Sequence, residues 1–310
     1  MVLRDVDSGQ IRAGLPVYKV KSWLLGNRMV SVPFATVCDP LVATLEEWGA
    51  LASELEKECR RTKCKQIEIR ALLSPAQLPP AFQSKSLFRN HMLTLDADFD
   101  SLRARFDKHS VRQKAEKARR ASVSVEERSN VEGVRISHSL LAETRRRLTL
   151  PPMPYRFFAA MQNNLCPEQM KIFLAFQDSK PVACHLVLIY KDQWTSEYSA
   201  NADGAMSGVN QLLYLETIRQ ACAAGARRFS YGRTSINNPG LMSYKLKWGT
   251  KESILTDYTL RCDQRVQQET VQGAAPTEDS RAYILCKRVI AGSPLSVCKI
   301  IGEFCYRHLG

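Results

Sequence analysis

The feature that most constrains the fold is a pattern that occurs twice along the chain. A hairpin-like stretch leads into a long amphipathic helix, and a short strand that ends near an arginine follows, first in residues 1–70 and again in residues 180–233. Alternating apolar residues are typical of strands, whereas apolar residues three or four apart are typical of helices. The repeated order therefore predicts one α/β fold that is used twice.

The first copy begins directly in a sheet. Val2 and Ile11 flank a polar turn, which predicts a hairpin over residues 1–20. From Thr44 the apolar residues follow helical spacing, and Thr44 with Glu47 forms a candidate capping box. This predicts a helix over residues 44–62, with further strands at 27–34, 66–70 and 86–95.

The second copy follows a proline-rich segment at residues 151–154. Helices are expected at 136–148, 155–164, 209–224 and 240–248, and strands at 170–176, 181–190, 193–200, 228–231 and 253–260. We place the two domains at residues 1–132 and 133–262. A linker at 263–280 and a C-terminal helix at 294–309 complete the region 263–310.

The composition excludes a membrane-spanning or secreted chain. With 310 residues and 45% hydrophobic content, the protein can bury two cores. No stretch approaches the roughly 18 apolar residues that a membrane span needs, and Arg4, Asp5 and Asp7 interrupt any signal-peptide core. We therefore expect a cytoplasmic protein, with the inner face of the membrane as the other location considered.

The cysteines and histidines do not predict a disulfide framework or a metal site. The ten cysteines contain no C-x-x-C pair, and the five histidines are scattered. Reduced core thiols and no metal are expected. Cys184 and His185 are adjacent in an apolar strand, where a core histidine is the favoured interpretation because no third partner completes a catalytic triad.

A formal net charge of +13 indicates an anionic partner. The candidates are an RNA such as tRNA, the phosphates of coenzyme A, a nucleotide-linked glycan precursor or an acidic membrane surface, and a role in solubility alone is the alternative. The most basic stretch is residues 100–121, which could face that partner or form a solvated helix face. Its cations are Arg103, Arg105, Lys108, Arg112, Lys114, Lys117, Arg119 and Arg120.

The C-terminal helix carries apolar residues that could cover the core or contact a membrane surface, and core cover is favoured. These residues are Val297, Ile300, Ile301, Phe304 and Leu309.

The second copy contains a candidate ligand-binding turn. A strand that ends near residue 203 leads through small residues into a helix, and Ser207, Gly208 and Asn210 stand at the helix start. Free backbone N–H groups there can bind a phosphate, although similar turns occur in proteins that bind nothing. We also identify Tyr198, Asn201 and Asp203 as candidate catalytic residues that orient an amine or accept its proton, with ordinary strand-end polarity as the alternative.

The most specific motif follows. Residues 231–235 read Tyr-Gly-Arg-Thr-Ser, and residues 239–249 read Pro-Gly-Leu-Met-Ser-Tyr-Lys-Leu-Lys-Trp-Gly. This order resembles the FemAB family and its GNAT relatives, whose C-terminal domain shows aromatic-Gly-Arg, a glycine-containing loop and aromatic-Lys-x-x-Trp-Gly. The resemblance covers residues 135–260 well and residues 15–70 more faintly. In the family the first domain usually has a further strand and helix before this hairpin, so either the N-terminal domain here is shortened or the start site lies upstream.

The resemblance implies an α/β (α+β) protein of two GNAT-like domains with mixed sheets and a cleft between them. It also implies an N-acyltransferase that moves an acyl group from acyl-CoA, or an aminoacyl group from aminoacyl-tRNA, to an amine of a cell-envelope precursor such as peptidoglycan, or of an exopolysaccharide precursor. The short basic region favours the CoA thioester, because tRNA-dependent relatives often carry a long helical arm. A non-catalytic GNAT pair that binds RNA or an anionic glycan is the alternative.

Within this resemblance, Arg233 and Lys245 are the candidates for holding a donor phosphate or an acceptor carboxylate. A salt bridge inside the domain is the alternative for both. Arg70 is the counterpart of Arg233 in the first domain and could line the shared cleft. Trp248 and Gly249 are expected to be structural, as an aromatic plug and a helix stop.

Overall fold

The computed structural model describes residues 1–23, 26–72, 82–262 and 281–309. The strands in these residues are β1 (Val2–Arg4), β2 (Ile11–Gly14), β3 (Tyr18–Val20), β4 (Arg28–Val30), β5 (Gln66–Ala71), β6 (Gln83–Thr94), β7 (Ser124–Glu127), β8 (Met170–Gln177), β9 (Lys180–Tyr190), β10 (Gln193–Asn201), β11 (Arg228–Ser235) and β12 (Lys251–Arg261). The helices are α1 (Leu45–Arg61), α2 (Phe99–Ala104), α3 (Gln113–Arg120), α4 (Val131–Arg147), α5 (Tyr155–Leu165), α6 (Val209–Ala223), α7 (Pro239–Leu246), α8 (Arg281–Gly292) and α9 (Leu295–Leu309), and a π-helical turn at Lys108–Arg112 precedes α3.

Ten strands form one mixed sheet in the order β3-β4-β5-β12-β6-β11-β10-β9-β8-β7, and β1 with β2 forms a separate hairpin. The parallel pairs are β4 with β5 and β10 with β11. Helix α1 connects the first pair and α6 connects the second. The strand–helix–strand unit that the sequence predicted twice is therefore present twice, with α1 and α6 in equivalent places.

The two halves exchange their last strands. Strand β12, from the second half, pairs with β5 of the first half, and β6, from the first half, pairs with β11 of the second. Strands β12 and β6 also pair with each other at the centre of the sheet. The two halves thus share one continuous sheet. The predicted boundary between residues 132 and 133 falls within the first turn of α4, and the division into domains stays a prediction.

Helix α1 begins where its capping residues predicted. The Thr44 hydroxyl accepts a hydrogen bond from the Glu47 backbone N–H at 3.2 Å, and the Glu47 carboxylate accepts one from the Ala43 N–H at 2.8 Å. The predicted apolar stripe is buried, with Trp48 and Leu55 among its members. This packing fixes α1 against the first half of the sheet.

In the second half, helices cover both faces of the sheet. Alternate residues of β8 face opposite clusters: Phe173 packs with α3 and α6, whereas Ile172 and Leu174 pack with α4 and α5. The basic stretch has a thin apolar side, formed by Leu102, Phe106 and Val111, which is buried in the first of these clusters. The basic stretch is therefore anchored by its apolar side.

Helix α9 packs on the second half, but the expectation that its apolar residues cover the core is wrong for Val297, Ile300 and Phe304, which are exposed. A Cβ atom added at Gly302 would lie 2.0 Å from the Pro152 carbonyl oxygen, so the two backbones are in close contact. The Tyr306 hydroxyl accepts a hydrogen bond from Arg145 at 2.8 Å. The predicted linker at residues 263–280 lies outside the described residues.

The described residues contain neither a helix that could span a membrane nor a cluster of metal ligands. No described helix has the length and apolar character needed to cross a bilayer. In the same residues, no group of three or more histidine, cysteine, aspartate or glutamate side chains has a geometry that could hold a metal ion.

Candidate active site

Strands β10 and β11 separate in the middle of the sheet. Their parallel register ends at Thr195 opposite Ser230. Each strand then contains an irregularity, in β10 between Ser196 and Tyr198 and in β11 between Ser230 and Arg233. Bulges bend strands and end pairing, and here they open a gap between two parallel strands. We call this opening, between residues 195–198 and 230–233, the gap.

The gap is bordered by both halves of the protein. A Cβ atom at Gly232 would lie 3.6 Å from the Ser196 carbonyl oxygen and 3.7 Å from the Thr36 hydroxyl. Gly232 has φ +65°, which favours glycine at this bend. Thr36 lies in the loop that follows β4, so the first half contributes directly to the border of the gap.

Lys245, on α7, holds the bulge of β11. Its Nζ atom donates hydrogen bonds to the carbonyl oxygens of Tyr231, Gly232 and Arg233, the last two at 3.2 Å. Burial lowers the pKa of Lys245 to about 8. An ammonium group has three N–H donors, and the three carbonyls use all of them. The structure thus gives Lys245 a clear role in shaping the gap, and direct contact with a ligand stays a prediction.

Arg233 and Arg70 lie close together at the centre of the sheet. The Arg233 guanidinium stacks 3.5 Å above the Phe88 ring and lies 3.6 Å from the Asp257 carboxylate. Burial lowers the pKa of Arg233, and the nearby charge of Arg70 lowers it further. Arg70 is directly opposite Asp257 in the β5–β12 register, and it donates a hydrogen bond to the Ala35 carbonyl at 3.0 Å. The exchange of strands therefore brings the two predicted counterparts together.

Glu197 is the functional candidate that sequence reasoning missed. It is the extra residue in the irregularity of β10. Burial raises the pKa of its carboxyl group from 4.5 to about 7. Its side chain makes no hydrogen bond or salt bridge with the described residues. Its carboxylate oxygens are partly accessible to solvent. A carboxyl group that is half ionised near pH 7 beside a gap is suited to proton transfer.

The three predicted catalytic residues do not converge. Tyr198 packs edge-on against Phe158, with ring centroids 5.1 Å apart, and burial raises its pKa above the ordinary tyrosine value. The Asn201 carbonyl oxygen accepts a hydrogen bond from Arg147 of α4 at 2.6 Å. Asp203 is exposed in the following turn. Tyr198 alone stands directly beside Glu197, and the catalytic roles of all three stay predictions.

The predicted ligand turn lies against the basic stretch. Gly208 is the N-cap of α6, with φ +106° and no side-chain cap. A Cβ atom there would lie 2.1 Å from the Lys114 carbonyl oxygen of α3. Ser207 is exposed, and the Asn210 Oδ1 atom is buried without a hydrogen-bond partner among the described residues. The structure thus places the start of α6 and the basic stretch side by side.

Half of the predicted cations in that stretch are engaged within the protein. Arg105 pairs with Asp96, Arg112 donates to a carbonyl, and Arg119 and Arg120 pair with Glu116. The cations with neither an ion pair nor a side-chain hydrogen bond among the described residues are Arg103, Lys108, Lys114 and Lys117. These four cations are therefore more available to an anionic ligand than the four that are engaged.

A buried polar chain supports the bulge of β10 from the α6 side. The Thr217 hydroxyl donates to the Leu213 carbonyl at 2.9 Å, so it accepts from His185 Nδ1 at 3.1 Å. His185 Nε2 must then accept from the Ser196 hydroxyl at 2.9 Å, and Ser196 accepts from Tyr214 at 3.0 Å. Burial lowers the pKa of His185 to about 3, which keeps the ring neutral. The expectation of a core histidine with satisfied hydrogen bonds is confirmed.

This chain yields a stability prediction. Ser196→Ala is expected to lower the free energy of unfolding by about 1 to 3 kcal/mol, because His185 Nε2 and the Tyr214 hydroxyl lose a partner inside the core. Urea unfolding measures the change. Thr195→Ala, which removes a half-buried hydroxyl from the neighbouring position, is the control and should cost less. Equal losses in the two variants would show that the chain does not support the bulge.

Comparisons with known proteins agree with this geometry. Residues 104–246 match the acetyltransferase (GNAT) domain family. No curated protein matches the chain by sequence. A crystal structure of FemX superposes with a TM-score of 0.67 at 14% identity, covering 86% of this chain and 88% of FemX.

Two further structures share the fold. L-PGS from Bacillus licheniformis gives a TM-score of 0.57 at 13% identity, with 89% of this chain and 86% of L-PGS covered. A tandem GNAT protein from the clavulanic acid biosynthesis pathway gives 0.54 at 11% identity, with 84% and 82% covered. The matched family domain spans the basic stretch, the gap and the α6 start, within the tandem fold that these structures share. The chain therefore contains an acetyltransferase (GNAT) domain at residues 104–246, and its fold is similar to that of FemX.

Proposed function

We propose that this protein transfers an acyl group from an acyl-CoA to an amine of a cell-envelope or exopolysaccharide precursor, with aminoacyl-tRNA as the alternative donor. The observation that carries the proposal is the half-buried carboxyl group of Glu197 in the irregularity of β10 beside the gap, whose pKa burial raises to about 7. The likeness to FemX supports an envelope acceptor, because the resembled FemAB family includes peptidoglycan bridge aminoacyltransferases.

Glu197 would act as the general base. An amine must lose a proton to form an amide, and a carboxylate with a pKa near 7 can accept that proton at neutral pH. The amine nitrogen bonds to the thioester carbon, the carbon–sulfur bond breaks, and the proton held by Glu197 passes to the leaving thiolate. The products are the amide and free CoA, and no covalent enzyme intermediate is required.

The gap offers groups that could stabilise the tetrahedral intermediate. Beyond Thr195, β10 no longer pairs with β11, so backbone N–H groups on that side can donate to an oxyanion. Arg233 and Arg70 supply positive charge nearby and could hold a carboxylate or phosphate of the acceptor. Lys245 keeps the β11 side in shape through its three carbonyl contacts.

The start of α6 is the proposed site for the donor phosphates. Its first turn has no side-chain cap, and although the Val209 N–H donates to the Met206 carbonyl at 3.4 Å, those of Asn210 and Gln211 have no partner among the described residues. Lys114 and Lys117 lie on the adjacent helix. In the described residues the basic stretch forms a π turn and a short helix packed on the core, with no long helical arm. Since such an arm is common in tRNA-dependent relatives, this arrangement supports the CoA thioester.

Coenzyme A is expected to stabilise the protein by about 2.7 kcal/mol at 100 times its dissociation constant. Lys114→Glu should weaken this binding by at least tenfold, because it reverses a charge beside the α6 start. Lys180→Glu, at the exposed first residue of β9, should not. Thermal unfolding with coenzyme A and with tRNA measures both effects. Stabilisation by tRNA alone would contradict the CoA assignment.

The alternative function, a non-catalytic module that binds RNA or an anionic glycan, is favoured by one observation. Four cations of the basic stretch, Arg103, Lys108, Lys114 and Lys117, have neither an ion pair nor a side-chain hydrogen bond among the described residues. A polyanion bound there would release counterions, so its affinity would fall steeply with salt, and Lys108→Glu with Lys117→Glu would flatten that dependence. These positions are preferable to Arg112, Arg119 and Arg120, whose contacts stabilise the fold.

Transfer itself is tested with labelled donors. The protein is incubated with labelled acyl-CoA or labelled aminoacyl-tRNA and amine-bearing envelope precursors, and the label is followed into an amide. The proposal expects transfer by the wild type that Glu197→Gln greatly slows. Unchanged transfer in this variant would remove Glu197 as the base, and ligand binding without any transfer would favour the non-catalytic alternative.

A further inference from the structure

Helix α9 has two apolar faces, of which one is buried. Cys298 and Gly302 face the protein, and Tyr306 contacts Arg145. On the other face, Val297, Ile300 and Phe304 are 40%, 70% and 47% exposed. A helix that only covers a core would carry polar residues outside. The outer face of α9 is therefore not explained by packing within the chain.

Trp23 extends this outer face. Its side chain is 77% exposed, and its ring centroid lies 6.1 Å from that of Phe304 and 5.5 Å from that of His308. Trp23 follows β3, so two distant parts of the chain contribute to one surface. We call Trp23, Val297, Ile300 and Phe304 the outer patch. Grouped exposed apolar side chains of this kind mark interaction sites.

The segments that carry the outer patch are rich in cations and poor in acidic residues. Residues 281–310 contain a single acidic residue, Glu303, which pairs with Arg156 at 3.3 Å. Lys21 lies two residues before Trp23. The cations of the C-terminal region are Arg281, Lys287, Arg288, Lys299 and Arg307. This excess favours an anionic partner, and it opposes a symmetric dimer, in which the same cations would face each other.

We propose that the outer patch binds the surface of a bilayer that contains anionic lipids. Tryptophan and phenylalanine insert at the boundary between headgroups and acyl chains, and lysine and arginine beside them attract anionic headgroups. Helix α9 lies in the plane of the interface in this arrangement, with its inner face on the protein. No transmembrane segment is needed.

The geometry connects this surface to the gap. The Tyr306 ring, on the inner side of α9, lies 5.5 Å from Phe34, in the loop whose Thr36 borders Gly232. Tyr306 is also close enough to influence the pKa of Tyr198. A bilayer bound to the outer patch therefore contacts one side of α9, and the gap lies beyond the opposite side of this helix. We infer further that the acceptor amine belongs to a membrane-attached molecule, and this rests on the proposed function. The docking surface itself does not depend on the proposed function.

The test is cosedimentation of the full chain with vesicles. Wild type should bind vesicles of phosphatidylglycerol and phosphatidylcholine at least tenfold more tightly than vesicles of phosphatidylcholine alone, and high salt should weaken binding. The double variant Ile300→Glu with Phe304→Glu should lose at least tenfold in affinity for the anionic vesicles. The matched control, Val6→Glu with Leu41→Glu, also alters two exposed apolar residues, 96% and 73% exposed, and should bind like wild type.

Three results would overturn the proposal. The first is that wild type does not bind anionic vesicles, and the second is that the patch variant binds them as tightly as the control. The third is that light scattering shows wild type as a dimer and the patch variant as a monomer. Circular dichroism and coenzyme A stabilisation of the patch variant verify its fold. Because docking is measured without a donor or acceptor, its failure leaves the acyl-transfer proposal standing, and failure of acyl transfer leaves the docking result standing.

Discussion

Replacing Glu197 with glutamine is expected to slow acyl transfer by about 10²- to 10⁴-fold, the range usual for loss of a general base. Glutamine has nearly the same shape but cannot accept the amine proton. In the wild type the rate should rise with pH through about 7, where burial places the pKa of this carboxyl group. Steady-state rates across this range measure both effects, and a variant with wild-type rates would contradict the assignment.

The same variant should also change stability. Because the pKa of Glu197 is raised in the folded protein, the folded state binds the proton more tightly than the unfolded state. Stability is then lost as the pH rises from about 4.5 to about 7. Glu197→Gln should therefore unfold like wild type at pH 4.5 and be more stable by about 3 kcal/mol at pH 8. Glu132→Gln, on the exposed side of α4, is the control and should change little at either pH.

Replacing Gly208 with alanine is expected to destabilise the protein by about 3 to 5 kcal/mol, since two independent costs add. Its φ of +106° is unfavourable for any residue with a side chain. The new methyl group would also lie 2.1 Å from the Lys114 carbonyl oxygen, a backbone atom of α3 that cannot rotate away. Either α3 moves from α6 or the turn changes conformation, and ligand binding at the α6 start should be lost.

Gly204→Ala separates the two costs. Gly204 has φ +70°, but a Cβ atom there would meet no atom within 4 Å. This control should lose only about 1 kcal/mol, from backbone strain. Urea unfolding of both variants measures the difference. If Gly208→Ala is no less stable than Gly204→Ala, then α3 and the ligand turn are not in close contact.

The elements of the fold could be predicted from sequence, but their partners in the sheet could not. The alternation in β6 and β12 indicates two strands, and the cap at Thr44 marks the start of α1. Alternation says which residues share a face, and it does not say which strand lies alongside. The exchange of β6 and β12 depends on packing between segments more than 150 residues apart, so it appears only in three dimensions.

The residues of the candidate site could be predicted from the sequence only in part, because their contacts also depend on the three-dimensional structure. The motif drew attention to Arg233 and Lys245, which lie beside the gap, and their roles in binding stay predictions. Without an extra residue in β10, Ser196 and Tyr198 would share one face. The irregularity at Glu197 places Ser196 toward α6 and Tyr198 toward α5. Simple alternation therefore could not show which polar residues of this strand meet, and the raised pKa of Glu197 depends on burial that the sequence does not reveal.

The most direct test of the account is an NMR titration of the Glu197 carboxyl group. Protein labelled with carbon-13 at glutamate side chains is titrated from pH 4 to pH 9, and the resonance absent from Glu197→Gln identifies the group. We predict a midpoint near pH 7, the value to which burial raises its pKa. A midpoint near 4.5, the ordinary value for glutamate, would contradict the claim that this residue is the general base of acyl transfer.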